Sequence, residues 1–313
     1  MKVLFWGTPD FAVASLRALD DEAFDVVGVV TRPDRPAGRG RKLTPSPVKE
    51  VALAMGTPVL TPERPRGDDF LRQIRDLAPD LSVVVAYGHI LRREVLDVPP
   101  LGSINVHASL LPELRGAAPI NWAIARGHAT TGVTVMRMVE AMDAGPVLHS
   151  IEEPILPADT ASELSVRLSE LGAEALLEAL TLLTAGKLGE VEQDHARATL
   201  APKVGREVAR VDWTRPACEL GWHVRGMDAV PGAWSELDGV PVKLFRPCVA
   251  DATASDAGSA PGTVLAADSE RGLVVATGDG ALALGEVQPP GKRRMDALDW
   301  IHGRGVRAGQ RFA

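Results

Sequence analysis

Asn105 and His107 stand two residues apart in SINVHASLLP (103–112), a stretch whose first half otherwise reads as a buried strand. Side chains two apart on a strand share one face, so an amide and an imidazole lie side by side. Asp143 follows in EAMDAGPV, a glycine-containing loop at the end of the next apolar run. Amide and imidazole N–H groups are suited to polarising a carbonyl and holding the negative charge that develops on its oxygen. A carboxylate that orients the imidazole and helps move a proton completes a site for acyl transfer to an amine. There is no Gly-x-Ser-x-Gly elbow, and no cysteine adjoins the three residues, which weighs against a covalent intermediate. A satisfied buried Asn/His pair is the plain alternative, and it leaves Asp143 unexplained.

The elements that must position these groups come in a regular order. Apolar runs KVLFWG (2–7), DVVGVVT (25–31), GTPVLTP (56–62), DLSVVVAYG (80–88) and LGSINVHAS (101–109) behave as strands. Helical periods SPVKEVALAMG and DDFLRQIRDLAP separate several of them. Strands alternating with helices predict an α/β, Rossmann-like, mostly parallel sheet covered on both faces. Such sheets bind ligands beyond the carboxyl ends of their strands, and Asn105 and His107 occupy the end of the fifth. GVTVMRMV (132–139) reads as a further strand, antiparallel to PVLHSIEEPI. Asp143 is then expected to reach the site from a neighbouring strand end. Thr160 and Glu163 have capping-box spacing and open a long helix that stops near Gly186. Residues 187–203 lose periodicity and read as a linker. From 204 onward, short alternating runs broken by Asp-Gly and Gly turns predict a small β-barrel. The expected organisation is a catalytic domain over 1–186, a linker over 187–203 and a second domain over 204–313.

Net charge is −7, yet residues 203–313 hold 14 basic and 14 acidic side chains, so the excess lies entirely in 1–202. RPDRPAGRGRKLTPSPVK (32–49) runs the other way, with six basic residues and one acid. A basic loop on an acidic chain suits a polyanionic partner, because screening makes nearby charges count most. Cys218 and Cys248 have no Cys/His spacing around them, which predicts neither a metal site nor a disulfide framework. GTPDFAV lacks the Gly-x-Gly-x-x-Gly pattern and a P-loop lysine, arguing against an NAD enzyme or an NTPase. No apolar run approaches the roughly 20 residues that span a bilayer, and the six residues before Gly7 are too few for a signal peptide. A cytoplasmic monomer without membrane contact is expected.

GTPDFAV, RPDRPAGRGRKLTPSPVK, VVVAYGHIL, INVHASLLPELRGAAPI and GVTVMRMVEAMDAGPVL together resemble the methionyl-tRNA formyltransferase family, one of the folate-dependent formyltransferases. The likeness is dense from residue 3 to about 150 and looser through ARVDW and PVKLFR. NVHASLLP with a downstream aspartate is shared across the folate-dependent enzymes, whereas the basic loop and the β domain are particular to those acting on tRNA. The resemblance implies 10-formyltetrahydrofolate as formyl donor, without a metal, and the α-amino group of initiator methionyl-tRNA as acceptor. Asn105, His107 and Asp143 match the family's catalytic positions. Ser109, Leu110, Leu111 and Pro112 match its folate-binding stretch, with Tyr87 and Gly88 nearby. Arg39 matches the loop arginine used in recognising the tRNA acceptor end, with Arg41 and Lys42 beside it. The C-terminal module is implied to be an OB-like, tRNA-binding barrel. Some relatives carry Arg-Trp or Lys-Tyr where this chain departs with Glu113-Leu114. Formyl transfer to a small amine, or to water, keeps the same trio but needs neither loop nor barrel. A non-catalytic RNA-binding protein leaves the trio without a purpose.

Overall fold

The computed structural model describes residues 1–37, 42–251 and 258–313. They form two compact units. The first comprises 1–119, 130–154 and 165–202; the second comprises 120–129, 155–164 and 203–313.

Unit 1 is built on one sheet. Its strands are β1 (Lys2–Gly7), β2 (Asp25–Val30), β5 (Val59–Leu60), β6 (Leu81–Val85), β7 (Ser103–His107), β8 (Thr130–Arg137) and β9 (Val147–Pro154), in the spatial order β5-β2-β1-β6-β7-β8-β9. Helices α1 (Val13–Asp21), α2 (Pro47–Ala54), α3 (Asp68–Asp76) and α4 (Arg93–Leu96) connect the early strands. Strands β5 to β7 are all parallel, and β1 and β6 are almost wholly buried. That burial is why their sequences are largely apolar. Trp6 at the centre gives its indole N–H to Ser82 Oγ at 3.1 Å. Ser46 caps α2 by accepting the Lys49 N–H, with Pro47 opening the helix, a favoured arrangement at a helix start. The basic stretch contributes a small hairpin, β3 (Arg35–Ala37) with β4 (Lys42–Thr44).

One expectation changes at β8. Its register with β7 is antiparallel, pairing Ile104 with Arg137 and His107 with Thr134. The end of β8 therefore lies beside the start of β7, and no neighbouring strand end delivers Asp143 to the site. Loop 138–146 has to turn back along β7 instead.

Helix α6 (Ala161–Thr184) begins with the capping box: Glu163 accepts from the Thr160 backbone at 3.0 Å and donates its own N–H to Thr160 Oγ1 at 3.3 Å. Of residues 187–203, expected as a linker, 187–202 have little regular structure but belong to unit 1 and are bonded into it. Val191 pairs with Val147, and Thr199 and Ala201 pair with Arg115.

Unit 2 carries an antiparallel sheet in the order β10-β11-β14-β13-β12, from strands β10 (Trp234–Leu237), β11 (Val240–Ala250), β12 (Val264–Asp268), β13 (Gly272–Ala276) and β14 (Ala281–Gln288), with β15 (Met295–Asp296) pairing β14. The ends of this order are joined through the tail: Ala313 exchanges backbone bonds with Glu236, while Phe312 and Gln310 bond Gly262 and Val264. The tail thus bridges the two edges of a curled, half-barrel sheet. Helices α5 (Pro119–Ala125), α7 (Ala217–Gly226) and α8 (Ala297–His302) complete the region. Leu220, Val224, Leu244, Leu282 and Phe312 pack into its core. The hairpin pattern of this region does not announce α7 or α8.

Candidate active site

Strand β7 presents Asn105 half-buried and His107 buried at its carboxyl end. His107 Nε2 lies 3.0 Å from the Leu114 carbonyl. A carbonyl only accepts, so this nitrogen carries the proton. Nδ1 is then the atom facing Asp143, whose Oδ2 stands 3.8 Å away. That separation is an ion-pair distance but too long for a hydrogen bond. Asp143 Oδ2 also accepts the Gly116 N–H at 2.8 Å. The Asn105 carboxamide has no hydrogen-bond partner among the described residues. Two of the three expected residues are thus within reach of each other, and the third shares His107's face with its donor free.

The next turn is fixed from β8. Thr134, fully buried, donates to the Ser109 carbonyl at 2.7 Å and accepts the Leu111 N–H at 3.1 Å. Ser109 Oγ donates to the Glu113 carbonyl at 2.7 Å. Leu110, Leu111 and Pro112 stay half-buried. Leu110 reaches its place because Gly132 has no side chain: a Cβ there falls 2.7 Å from Leu110 Cδ2 and 2.2 Å from the Ile151 carbonyl.

Tyr87 and Gly88 follow β6, next to β7. The Tyr87 ring packs edge-on to Trp6 at 5.3 Å and is 2 % exposed, so its side chain supports the loop from within. Burial pushes its phenol up to about 12, against the opposing pull of Arg32. His89 is held below its ordinary value by desolvation and by the cations Arg32 and Arg35. Gly88 and Ile90 form the exposed part of this loop. Lys42 is exposed at the start of β4. Arg39 and Arg41 lie outside the described residues.

Several residues around the trio carry no signal in the sequence. Leu114, with φ +58°, gives its N–H to Thr199 Oγ1 at 2.8 Å. Buried Arg115 directs Nε and Nη2 at Gln193 Oε1, at 3.1 and 2.6 Å, and Nη2 also meets His195 Nδ1 at 2.9 Å. Gln193 Nε2 donates to the carbonyls of Asp143 and Gly145 at 3.0 and 2.7 Å. Among the described residues no group of three or more His, Cys, Asp or Glu is placed to hold a metal, and no helix is long and apolar enough to cross a membrane.

An unbonded amide donor beside an imidazole, with a carboxylate next to its free nitrogen, is equipped to meet a developing oxyanion and move a proton. Family models agree with this chemistry: residues 1–180 match the formyl transferase model, and 203–305 match the formyl transferase C-terminal domain. The chain belongs to the formyl transferase family. It is 49 % identical to the methionyl-tRNA formyltransferase of Symbiobacterium thermophilum over all of this chain and 95 % of that one. It is 45 % identical to the Bacillus subtilis methionyl-tRNA formyltransferase over 98 % of this chain and 96 % of that one. Among solved structures, an N-formyltransferase from Helicobacter canadensis bound to folinic acid and dTDP-3-aminofucose shares the fold at TM-score 0.68 and 16 % identity, covering 92 % of this chain and 99 % of that one. HypX from Aquifex aeolicus with tetrahydrofolic acid does so at TM-score 0.63 and 21 % identity, covering 96 % of this chain and 46 % of that one. The formyl transferase fold thus accounts for both the parallel sheet and the antiparallel second unit.

Proposed function

We propose that this formyl transferase moves a formyl group from 10-formyltetrahydrofolate to the α-amino group of initiator methionyl-tRNA. The observation that carries the reading is the free Asn105 amide beside the His107–Asp143 pair, in a chain that matches methionyl-tRNA formyltransferases along its whole length. The donor supplies an activated formyl carbon. Asn105 donates to the carbonyl oxygen as the amine adds and negative charge grows there. His107, through Nδ1, takes the proton the amine loses and returns it to the departing nitrogen of the donor. Asp143 stabilises the imidazolium formed between those two transfers. Half-buried Leu110, Leu111 and Pro112, with exposed Ile90, Val139 and Met142 on nearby loops, fit a flat pterin better than a charged ligand.

For the tRNA, the basic stretch 32–49 is assigned to the acceptor end through Arg39, Arg41 and Lys42. In unit 2, a cavity of about 440 Å³ is lined by Arg206, Lys243 and Lys292 around Trp234, and Arg206 stacks on that indole at 4.4 Å. Cations grouped around one cavity suit a phosphate backbone. The acceptor places the enzyme in the cytoplasm, and one site per acceptor arm requires only a monomer.

Labelled formyl donor, offered to charged initiator tRNA, charged elongator tRNA and free methionine, tests the assignment; transfer only to the first is expected. Asn105→Ala and His107→Ala should lower kcat by about 10²–10³ or more while the protein stays folded. Near wild-type turnover in either purified variant removes that residue from the mechanism.

A further inference from the structure

Asp143 reaches His107 without a strand to carry it. Because β8 runs antiparallel to β7, loop 138–146 leaves the sheet beside the start of β7 and has to turn back. Asp143 itself sits at φ +51°, a left-handed conformation unfavourable for a residue with a Cβ. A loop in that state needs something outside it to hold it.

We infer that Gln193 is the positioning residue that holds the Asp143 loop against His107. Its side chain is 7 % exposed. Both amide hydrogens are committed to the loop, one to the Asp143 carbonyl at 3.0 Å and one to the Gly145 carbonyl at 2.7 Å. Its oxygen takes two donors from Arg115, at 3.1 and 2.6 Å. All four hydrogen-bonding positions of the amide are therefore filled. Arg115 lies between the two residues that touch the catalytic pair: Leu114, whose carbonyl accepts His107 Nε2, and Gly116, whose N–H binds the Asp143 carboxylate. Contacts thus run in a circuit from His107 through Leu114, Arg115, Gln193 and Asp143, open only at the 3.8 Å gap between Asp143 and His107. Gln193 sets the width of that gap. Only an amide does this, since glutamate lacks the hydrogens, lysine lacks the acceptor and leucine lacks both. Gln193 is placed to act through Asp143, not by touching either substrate.

The inference rests on the reading of Asp143 as His107's partner in formyl transfer. The test compares Gln193→Ala, Gln193→Glu, Asp143→Asn and the double variant Asp143→Asn/Gln193→Glu, with kcat and both KM values measured under formylation conditions. Thermal unfolding of each variant is followed in parallel. Gln193→Glu keeps an acceptor for Arg115 but faces the loop carbonyls without donors, so it isolates the positioning effect even if Gln193→Ala folds poorly. Both Gln193 variants are expected to lose kcat by up to about 100-fold, the scale of loss when a catalytic group is misplaced, with KM for donor and tRNA held within about twofold. In the Asp143→Asn background the same Glu substitution should change kcat by less than about twofold, because interacting residues are not additive. A multiplicative loss in the double variant, a loss confined to KM, or Gln193→Glu at wild-type kcat overturns the inference. Asp143→Asn at wild-type kcat overturns the trio itself, an outcome distinct from a depleted Asp143→Asn beside an unimpaired Gln193→Glu.

Discussion

Thr199 Oγ1 accepts the backbone N–H of Leu114 at 2.8 Å, and the Leu114 carbonyl accepts His107 Nε2 at 3.0 Å. A hydroxyl 85 residues downstream in the chain therefore helps set the imidazole's tautomer. Leu114 is 2 % exposed and at φ +58°, and a valine in place of Thr199 would cover its N–H without accepting from it. Thr199→Val is expected to cost about 1–3 kcal/mol, the penalty for a buried donor left unpaired, and to lower kcat. Thr199→Ser keeps the oxygen and should restore both. Denaturant unfolding and steady-state kinetics on the two variants check this; equal stability of Val and Ser variants contradicts it.

Thr134 offers a complementary test of the Leu110–Pro112 turn. Its hydroxyl satisfies the Ser109 carbonyl and the Leu111 N–H together. Thr134→Val keeps the shape and removes both bonds, at a cost of about 1–3 kcal/mol. If the turn holds the folate, KM for the formyl donor should rise several-fold, with KM for methionyl-tRNA little changed. An unaltered donor KM places the folate elsewhere.

Unit 2 contains its own pH dependence. His223 on α7 is 7 % exposed, and its Nε2 has no hydrogen-bond partner. Desolvation holds it below the ordinary value of 6.5, assisted by Arg215 and opposed by a hydrogen bond with the Ala209 backbone. The folded protein then binds fewer protons than the unfolded chain as pH falls through and below that value. Stability should accordingly decline as pH falls through and below about 6.5. Removing the titrating ring with His223→Leu should flatten that slope in melts recorded at a series of pH values. An unchanged slope assigns the acid sensitivity to other groups.

How much of this was legible depended on whether the cause was local. The strands β1, β2, β6 and β7 are visible because strands of a parallel sheet covered on both faces are largely apolar. The Thr160–Glu163 box is visible because its partners are three residues apart. Asn105 and His107 stand out because polar groups at a strand end need a reason. The path of Asp143 was hidden, since the direction of β8 is a property of its register with β7. Gln193 and Thr199 were hidden more deeply: their partners lie 50, 78 and 85 residues away in the chain, in a segment with no periodicity. Helix α7 was hidden as well, because the hairpin turns that follow it dominate the pattern of the region.

The bonds from residues 193–201 back to Leu114, Arg115, Asp143 and Gly145 bear on how the enzyme matures during synthesis. A nascent chain that has emerged only as far as residue 186 already owns the amide, the imidazole and the carboxylate, yet lacks the bonds from Gln193 and Thr199 that brace them. Competence arrives late, when the stretch after the long helix docks, so shortened products ending before Gln193 would consume folding resources while remaining poor catalysts.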